Sequence, residues 1–124
     1  MKLIKLPVHL LAILEKEAGH SNVDRSKMAA AVLAPDWLHL ISKTHNIRIY
    51  GKKTKWTLHA EERLMLKHRG DVDTVIVYRA NGSGTSKPCY RCTYAMRAAG
   101  VKKVIYNDGT NWVTEKTGKL YQFA

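Results

Sequence analysis

Leu10, Leu11, Leu14 and Ala18 recur at the spacing of one helical face. Pro7 suits the first position of such a helix and Gly19 its end, so the pattern predicts a helix over about 7–18. Residues 20–26 are polar and predict a loop. Residues 27–34, KMAAAVLA, are a short apolar run between turn residues, which predicts a buried strand. Pro35-Asp36 turns the chain, and 37–42, WLHLIS, alternates imperfectly as the hairpin partner of that strand. Residues 44–56 are polar and basic and predict a long loop.

Thr57 can cap a helix over about 58–68 that Gly70 ends. Its apolar positions Leu64 and Met65 sit among charges, so one face is buried. DTVIVY, 73–78, predicts a strand, and 79–86 a loop. Pro88 opens a helix over about 89–99, closed by Gly100. KKVIY, 102–106, predicts a strand, Asn107-Asp108-Gly109 a tight turn, and NWVTE, 111–115, the next strand. The remaining tail has room for one more turn or edge strand. Helices alternating with strands argue for an α/β layered domain with a mixed, five-stranded sheet. The tight last connection makes the final strand pair antiparallel.

A length of 124 residues predicts a single domain over 1–124, long enough to bury a core without staples. The opening stretch is apolar, but Pro7 and His9 break it and Glu15 and Glu17 follow. It reads as a folded helix rather than a targeting segment. No run approaches the ~20 apolar residues of a membrane span, so a cytoplasmic protein with no membrane partner is expected. The net charge of +11 implies attraction to phosphates, on a free nucleotide or on a nucleic acid strand. The plainer reading of that charge is solubility.

Two cysteines exclude a secreted disulfide framework. Both fall in PCYRC: Cys89 and Cys92, three apart, directly behind Pro88. On the first turn of a helix that spacing puts both sulfurs on one face, where the helix N-terminus favours thiolates. Catalytic zinc takes three protein ligands and a water. The third candidate ligand is His59, at the start of the preceding helix, with Glu61 two residues on, able to reach the water without being a ligand. A redox pair would match only in spacing, since the proline precedes the cysteines. A structural zinc would need a fourth ligand from His39, His45 or His68.

His59-Ala60-Glu61 followed by Pro88-Cys89-Tyr90-Arg91-Cys92 resembles the signature of the zinc-dependent cytidine deaminase superfamily. The order of elements is similar across nearly the whole chain. The resemblance implies the three-layer α/β/α cytidine deaminase-like fold. It implies Zn2+ held by His59, Cys89 and Cys92, and a catalytic Glu61 that takes a proton from water and delivers it to the ring nitrogen. It implies base contacts at the backbone of Ala60 and of Lys87, with Ser86 alongside, and a sugar contact at Asn46. Asn46 could instead cap a turn. Trp56 could wall the pocket and stack on a base, or belong to the core. Tyr90 and Arg91 lie between the ligands, and one of them could face the pocket mouth. Lys52, Lys53 and Lys55, beside the His59 helix, are the candidate phosphate contacts, against the reading of a solvated loop. His9, His20, His39 and His68 read as surface or satisfied groups.

The Asn107-Asp108-Gly109 turn leaves no room for a helix between the last two strands. That resembles the C-terminal-hairpin branch of the superfamily, and within it small phage and viral deaminase-like proteins. The expected reaction is hydrolytic deamination of cytosine to uracil in cytidine, deoxycytidine or their nucleotides. The alternatives are a deaminase of cytosine in single-stranded DNA or RNA, and an idle zinc-bound nucleic-acid-binding module. Retention of Glu61 argues against the idle module. The partners are correspondingly a cytosine-containing nucleoside, nucleotide or single-stranded nucleic acid. Relatives of that branch often assemble, so a homo-oligomer is an expectation by resemblance, with Leu10, Leu11 and Ile13 on several sides of the first helix.

Overall fold

The structure is a computed structural model that describes residues 1–23, 25–50, 55–68, 72–80 and 84–121. Its elements are β1 Lys2–Leu3, α1 Val8–Ala18, β2 Met28–Leu33, β3 Leu40–His45, β4 Ile47–Tyr50 and β5 Lys55–Leu58. They continue with α2 Ala60–Lys67, β6 Thr74–Arg79, α3 Tyr90–Ala98, β7 Lys103–Asn107, β8 Trp112–Lys116 and a 3-10 turn, Thr117–Lys119. The main sheet has six strands in the order β1-β8-β7-β6-β2-β3, and β4 and β5 form a separate antiparallel pair. Among the described residues β6 and β7 run parallel, and the other neighbours in the main sheet are antiparallel.

Helices cover both faces, which is why the central strands read as continuous apolar runs. Successive residues of β2 serve opposite cores. Ala29, Ala31 and Leu33 pack with Leu10, Leu14 and Ala18 of α1, together with Ile76 and Ile105. Ala30 and Val32 pack on the other face with Ala60 and Leu64 of α2 and Met96 of α3, together with Val75, Val77 and Val104. The small residues of β2 let the helices approach the middle of the sheet closely. The three layers and the mixed sheet are those expected. No helix among the described residues is long and apolar enough to cross a membrane.

Four expectations need correction. The main sheet has six strands, not five, because Lys2 and Leu3 pair with Thr114 and Val113 at its edge. Two residues carry no readable period.

The partner of β2 starts at Leu40, not residue 37. Trp37 adopts φ 62, a left-handed conformation that no strand continues. Its N–H donates to the Ala34 carbonyl at 2.9 Å, its side chain packs back against the α1-side core, and Asp36 accepts from the Leu38 N–H at 2.9 Å. The turn therefore consumes the first half of WLHLIS.

The stretch 44–56 is no simple loop. It finishes β3 and supplies β4 and part of β5, with Ile49 opposite Trp56 and Arg48 opposite Thr57. The ribbon is half exposed, so its alternation is short and diluted by charge. Finally, Thr57 lies in β5, and the cap of α2 is His59, whose own N–H donates to Glu62 Oε1 at 3.2 Å. The predicted stop at Gly70 lies outside the described residues.

Candidate metal centre and catalytic site

Two helix starts meet at the site. His59 is the N-cap of α2, and Cys89 is the N-cap of α3, each one residue before its helix. Cys92 lies in the first turn of α3, and its N–H points at the Cys89 sulfur at 3.4 Å. His59 Nδ1 stands 3.1 Å from Cys92 Sγ and 3.6 Å from Cys89 Sγ. One ligand atom from each of the three residues lies within 4.8 Å of the others. Among the described residues this is the group of His, Cys, Asp and Glu that could hold a metal ion.

The group fits zinc. With usual Zn–N and Zn–S bond lengths, tetrahedral ligands stand about 3.5 Å apart for N···S and about 3.8 Å for S···S. The observed separations bracket the N···S value. Two sulfurs and an imidazole are a donor set zinc takes, and three ligands leave a position open. Burial pushes the Cys92 thiol well above its ordinary range, and the charge of Glu61 adds to it. A divalent cation among these groups reverses that penalty, since it binds the deprotonated sulfur.

Glu61 is in the first turn of α2 and only 3% exposed. Burial raises its carboxyl above the ordinary carboxylate range. Its own backbone N–H, the His59 ring and a hydrogen bond with the Cys92 thiol oppose the shift. The Glu61 carboxyl is thus held out of water beside the three candidate ligands.

Several ties fix the two helix starts. Thr44 of β3, itself buried, donates its hydroxyl to the Ala60 carbonyl at 2.7 Å. Arg91 donates to Glu62 Oε1 at 2.9 Å, the same oxygen that caps the His59 N–H. Arg91, between the two cysteines, therefore bridges α3 to α2. Thr93 Oγ1 donates to the Cys89 carbonyl at 2.9 Å. Upstream, Ser86 Oγ donates to the Val77 carbonyl at 2.8 Å and accepts from the Asn107 N–H at 2.7 Å. This anchors the chain entering Pro88 to the ends of β6 and β7.

The structure brings together His59, Glu61, Cys89 and Cys92, from two segments that the sequence separates widely. The remaining candidates are placed as follows. Asn46 is buried between β3 and β4, where its Oδ1 accepts from the Met28 N–H and its Nδ2 donates to the Ser26 carbonyl, each at 2.9 Å. Much of its amide is spent on backbone. Ala60 is buried, and Ser86 is buried with its hydroxyl engaged. Trp56 on β5 is 48% exposed rather than core. Lys87 holds its ammonium 4.4 Å from the centroid of the Tyr121 ring, and Tyr90 is exposed and meets the same ring edge-on. Lys52 and Lys53 lie outside the described residues, and Lys55 begins β5 opposite Tyr50. Of the alternative ligands, His45 Nδ1 is 2.6 Å from Glu17, His39 Nδ1 2.6 Å from Asp36, and His68 Nδ1 2.9 Å from the Ser42 hydroxyl.

Three contributors escaped the sequence reading. Glu62 stands three residues after His59, the spacing of a capping box, and that signal could have found it. Thr44 and Tyr121 carry no local signal, because sheet pairing and the path of the tail deliver them.

Residues 6–108 match the model of the cytidine and deoxycytidylate deaminase zinc-binding region. The chain belongs to that family, within the zinc-dependent cytidine deaminase superfamily, and zinc is its cofactor. Among solved structures it is similar to the dCMP deaminase of the cyanophage S-TIM5, whose crystal structure contains dCMP and dUMP. The identity is 22%, the TM-score 0.54, and the match covers 82% of each chain. At that identity the likeness speaks for the fold. No curated protein sequence matches the chain. The family match ends at the turn after β7, so β7 lies within it and β8 beyond it.

Proposed function

We propose that the protein is a zinc-dependent hydrolase that converts cytosine to uracil in cytidine, deoxycytidine or their nucleotides, on one domain spanning 1–124. The observation that carries this reading is the buried carboxyl of Glu61 beside the His59, Cys89 and Cys92 ligand atoms. Binding a metal needs only the ligands. A carboxyl kept out of water at an energetic cost, and used by none of them, is what proton transfer needs.

Zinc, held by His59, Cys89 and Cys92, supplies a Lewis acid that lowers the pKa of water towards ~7. Glu61 accepts the proton of the attacking water and delivers it to the ring nitrogen of cytosine. It then takes the proton of the hydroxyl now on the ring carbon and passes it to the amine as the C–N bond breaks. Water and cytosine are consumed, and uracil and ammonia are released. The Arg91–Glu62 pair keeps the α2 start against the α3 start.

A second reading, cytosine in single-stranded DNA or RNA, is favoured by the β4–β5 ribbon. It ends one residue before His59, holds Trp56 half exposed, and contains Lys52, Lys53 and Lys55 in its sequence. Aromatic groups beside cations are what an unpaired strand stacks on and tracks along. The deciding experiment gives zinc-loaded protein cytidine, deoxycytidine, their monophosphates and a cytosine-bearing oligonucleotide, and reads products by mass. Conversion of the small substrates supports the first reading, and of the oligonucleotide alone the second. Conversion of none, with zinc bound, would refute both.

A further inference from the structure

The metal ligands are held by unequal means. Cys92 is fully buried, so core packing fixes its sulfur. Cys89 is exposed at the cap position, where its sulfur accepts from the Cys92 N–H at 3.4 Å. The direction of its side chain depends also on the two peptide planes that flank it. The plane that follows is pinned locally, since the Cys89 carbonyl accepts from Thr93 N–H and from Thr93 Oγ1, each at 2.9 Å. The plane that precedes it is outside the helix, and helix formation cannot hold it.

One side chain from the far end of the sequence holds it instead. Tyr121, just past the 3-10 turn, donates its hydroxyl to the Pro88 carbonyl at 2.7 Å. The Lys87 ammonium lies 4.4 Å from its ring centroid, within reach of a cation–π contact. The Tyr90 ring meets it edge-on, with centroids 5.6 Å apart and planes at 72°. Residues 87, 88 and 90, on both sides of Cys89, thus converge on one ring. The ring also packs against the core beneath α2 and α3.

We propose that Tyr121 is a positioning residue for the metal centre, a clasp laid by the C-terminal segment on the turn that carries Cys89. Fixing the Pro88–Cys89 peptide plane fixes where the Cys89 Cα–Cβ bond points. The sulfur then stands ready for the metal instead of being ordered at the moment of binding. The inference rests on the zinc reading of the His59, Cys89 and Cys92 group.

The test compares the full chain with Tyr121→Phe, Tyr121→Ala and Ile105→Val. Ile105 is buried on the opposite face of the sheet, so its variant lowers stability without touching the turn. Zinc affinity is read by competition with a chromophoric chelator at a temperature where all four are folded, and melting is followed in parallel. Losing a partner of a metal ligand typically weakens metal binding about 10–100-fold, and that loss is expected for Tyr121→Ala. Tyr121→Phe keeps the ring and loses the hydroxyl, so a smaller loss is expected, with no change for Ile105→Val. In the loaded enzymes kcat should fall more than KM rises. Parent-like affinity in both Tyr121 variants, or an equal loss in Ile105→Val, would overturn the proposal alone. A parent chain that takes up no zinc would overturn the metal reading with it.

Discussion

Replacing Glu61 by Gln keeps the shape of the side chain and removes its ability to carry a proton. Stability and activity should then move in opposite directions. General acid–base catalysis contributes about 10²–10⁴-fold, or roughly 3–5 kcal/mol at 1.36 kcal/mol per decade. Glu61 serves both the water and the base, so the upper end is expected. Stability follows from burial. A carboxyl whose folded pKa is raised holds its proton more tightly in the folded chain. Its stabilising contribution is complete below the unfolded value and is lost as pH rises through the folded one. At neutral pH the metal-free parent carries that loss and the Gln variant does not. An ion removed from water costs several kcal/mol, and the His59 ring and Cys92 thiol return only part of it. Metal-free Glu61→Gln should therefore be more stable than the parent by about 1–2 kcal/mol at pH 7. It should still bind zinc, since Glu61 is not among the ligands. The assay is turnover of cytidine and deoxycytidylate by mass, with melting of metal-free protein and chelator competition. Activity within tenfold of the parent, or a metal-free variant clearly less stable than the parent, would refute the reasoning.

The other expectations concern the ligands, the buried amide and the basic ribbon. His59→Ala and Cys92→Ala should each lose zinc and the folding stability it contributes, seen as a melting temperature no longer sensitive to chelator. Because burial holds the Cys92 proton on, zinc must expel it, so zinc affinity should rise with pH and calorimetry should find at least one proton released from that thiol. Asn46→Ala should cost about 1–3 kcal/mol in denaturant melts by leaving the Met28 N–H without its side-chain acceptor. A rise in KM beyond what refolded protein accounts for would add the sugar contact. Neutralising Lys52, Lys53 and Lys55 together should weaken turnover of an oligonucleotide, and flatten its salt dependence, while leaving free cytidine unchanged. Equal losses on both substrates would remove strand binding from that segment.

Much of the site is legible in the order of residues because its chemistry is local. Cys89 and Cys92 share one helix start and His59 and Glu61 another, and each spacing is set by helix geometry whatever the rest of the chain does. The main strands are legible because burial on both faces demands unbroken apolar runs, as in β2 and β6. What only the tertiary structure decides is long-range. The β6–β7 pair and its crossover helix α3 bring the cysteines to His59. The left-handed Trp37 moves the start of β3 by three residues, and a half-exposed ribbon appears where charge hides the alternation. Asn46 turns its amide to the Ser26 and Met28 backbone, and Tyr121 reaches the Pro88 carbonyl from the far end of the chain. Local spacing is encoded residue by residue, whereas a contact between distant segments exists only once the sheet has chosen its strand order. The candidate ligands of this centre are therefore readable in sequence, and the long-range contacts around them are not.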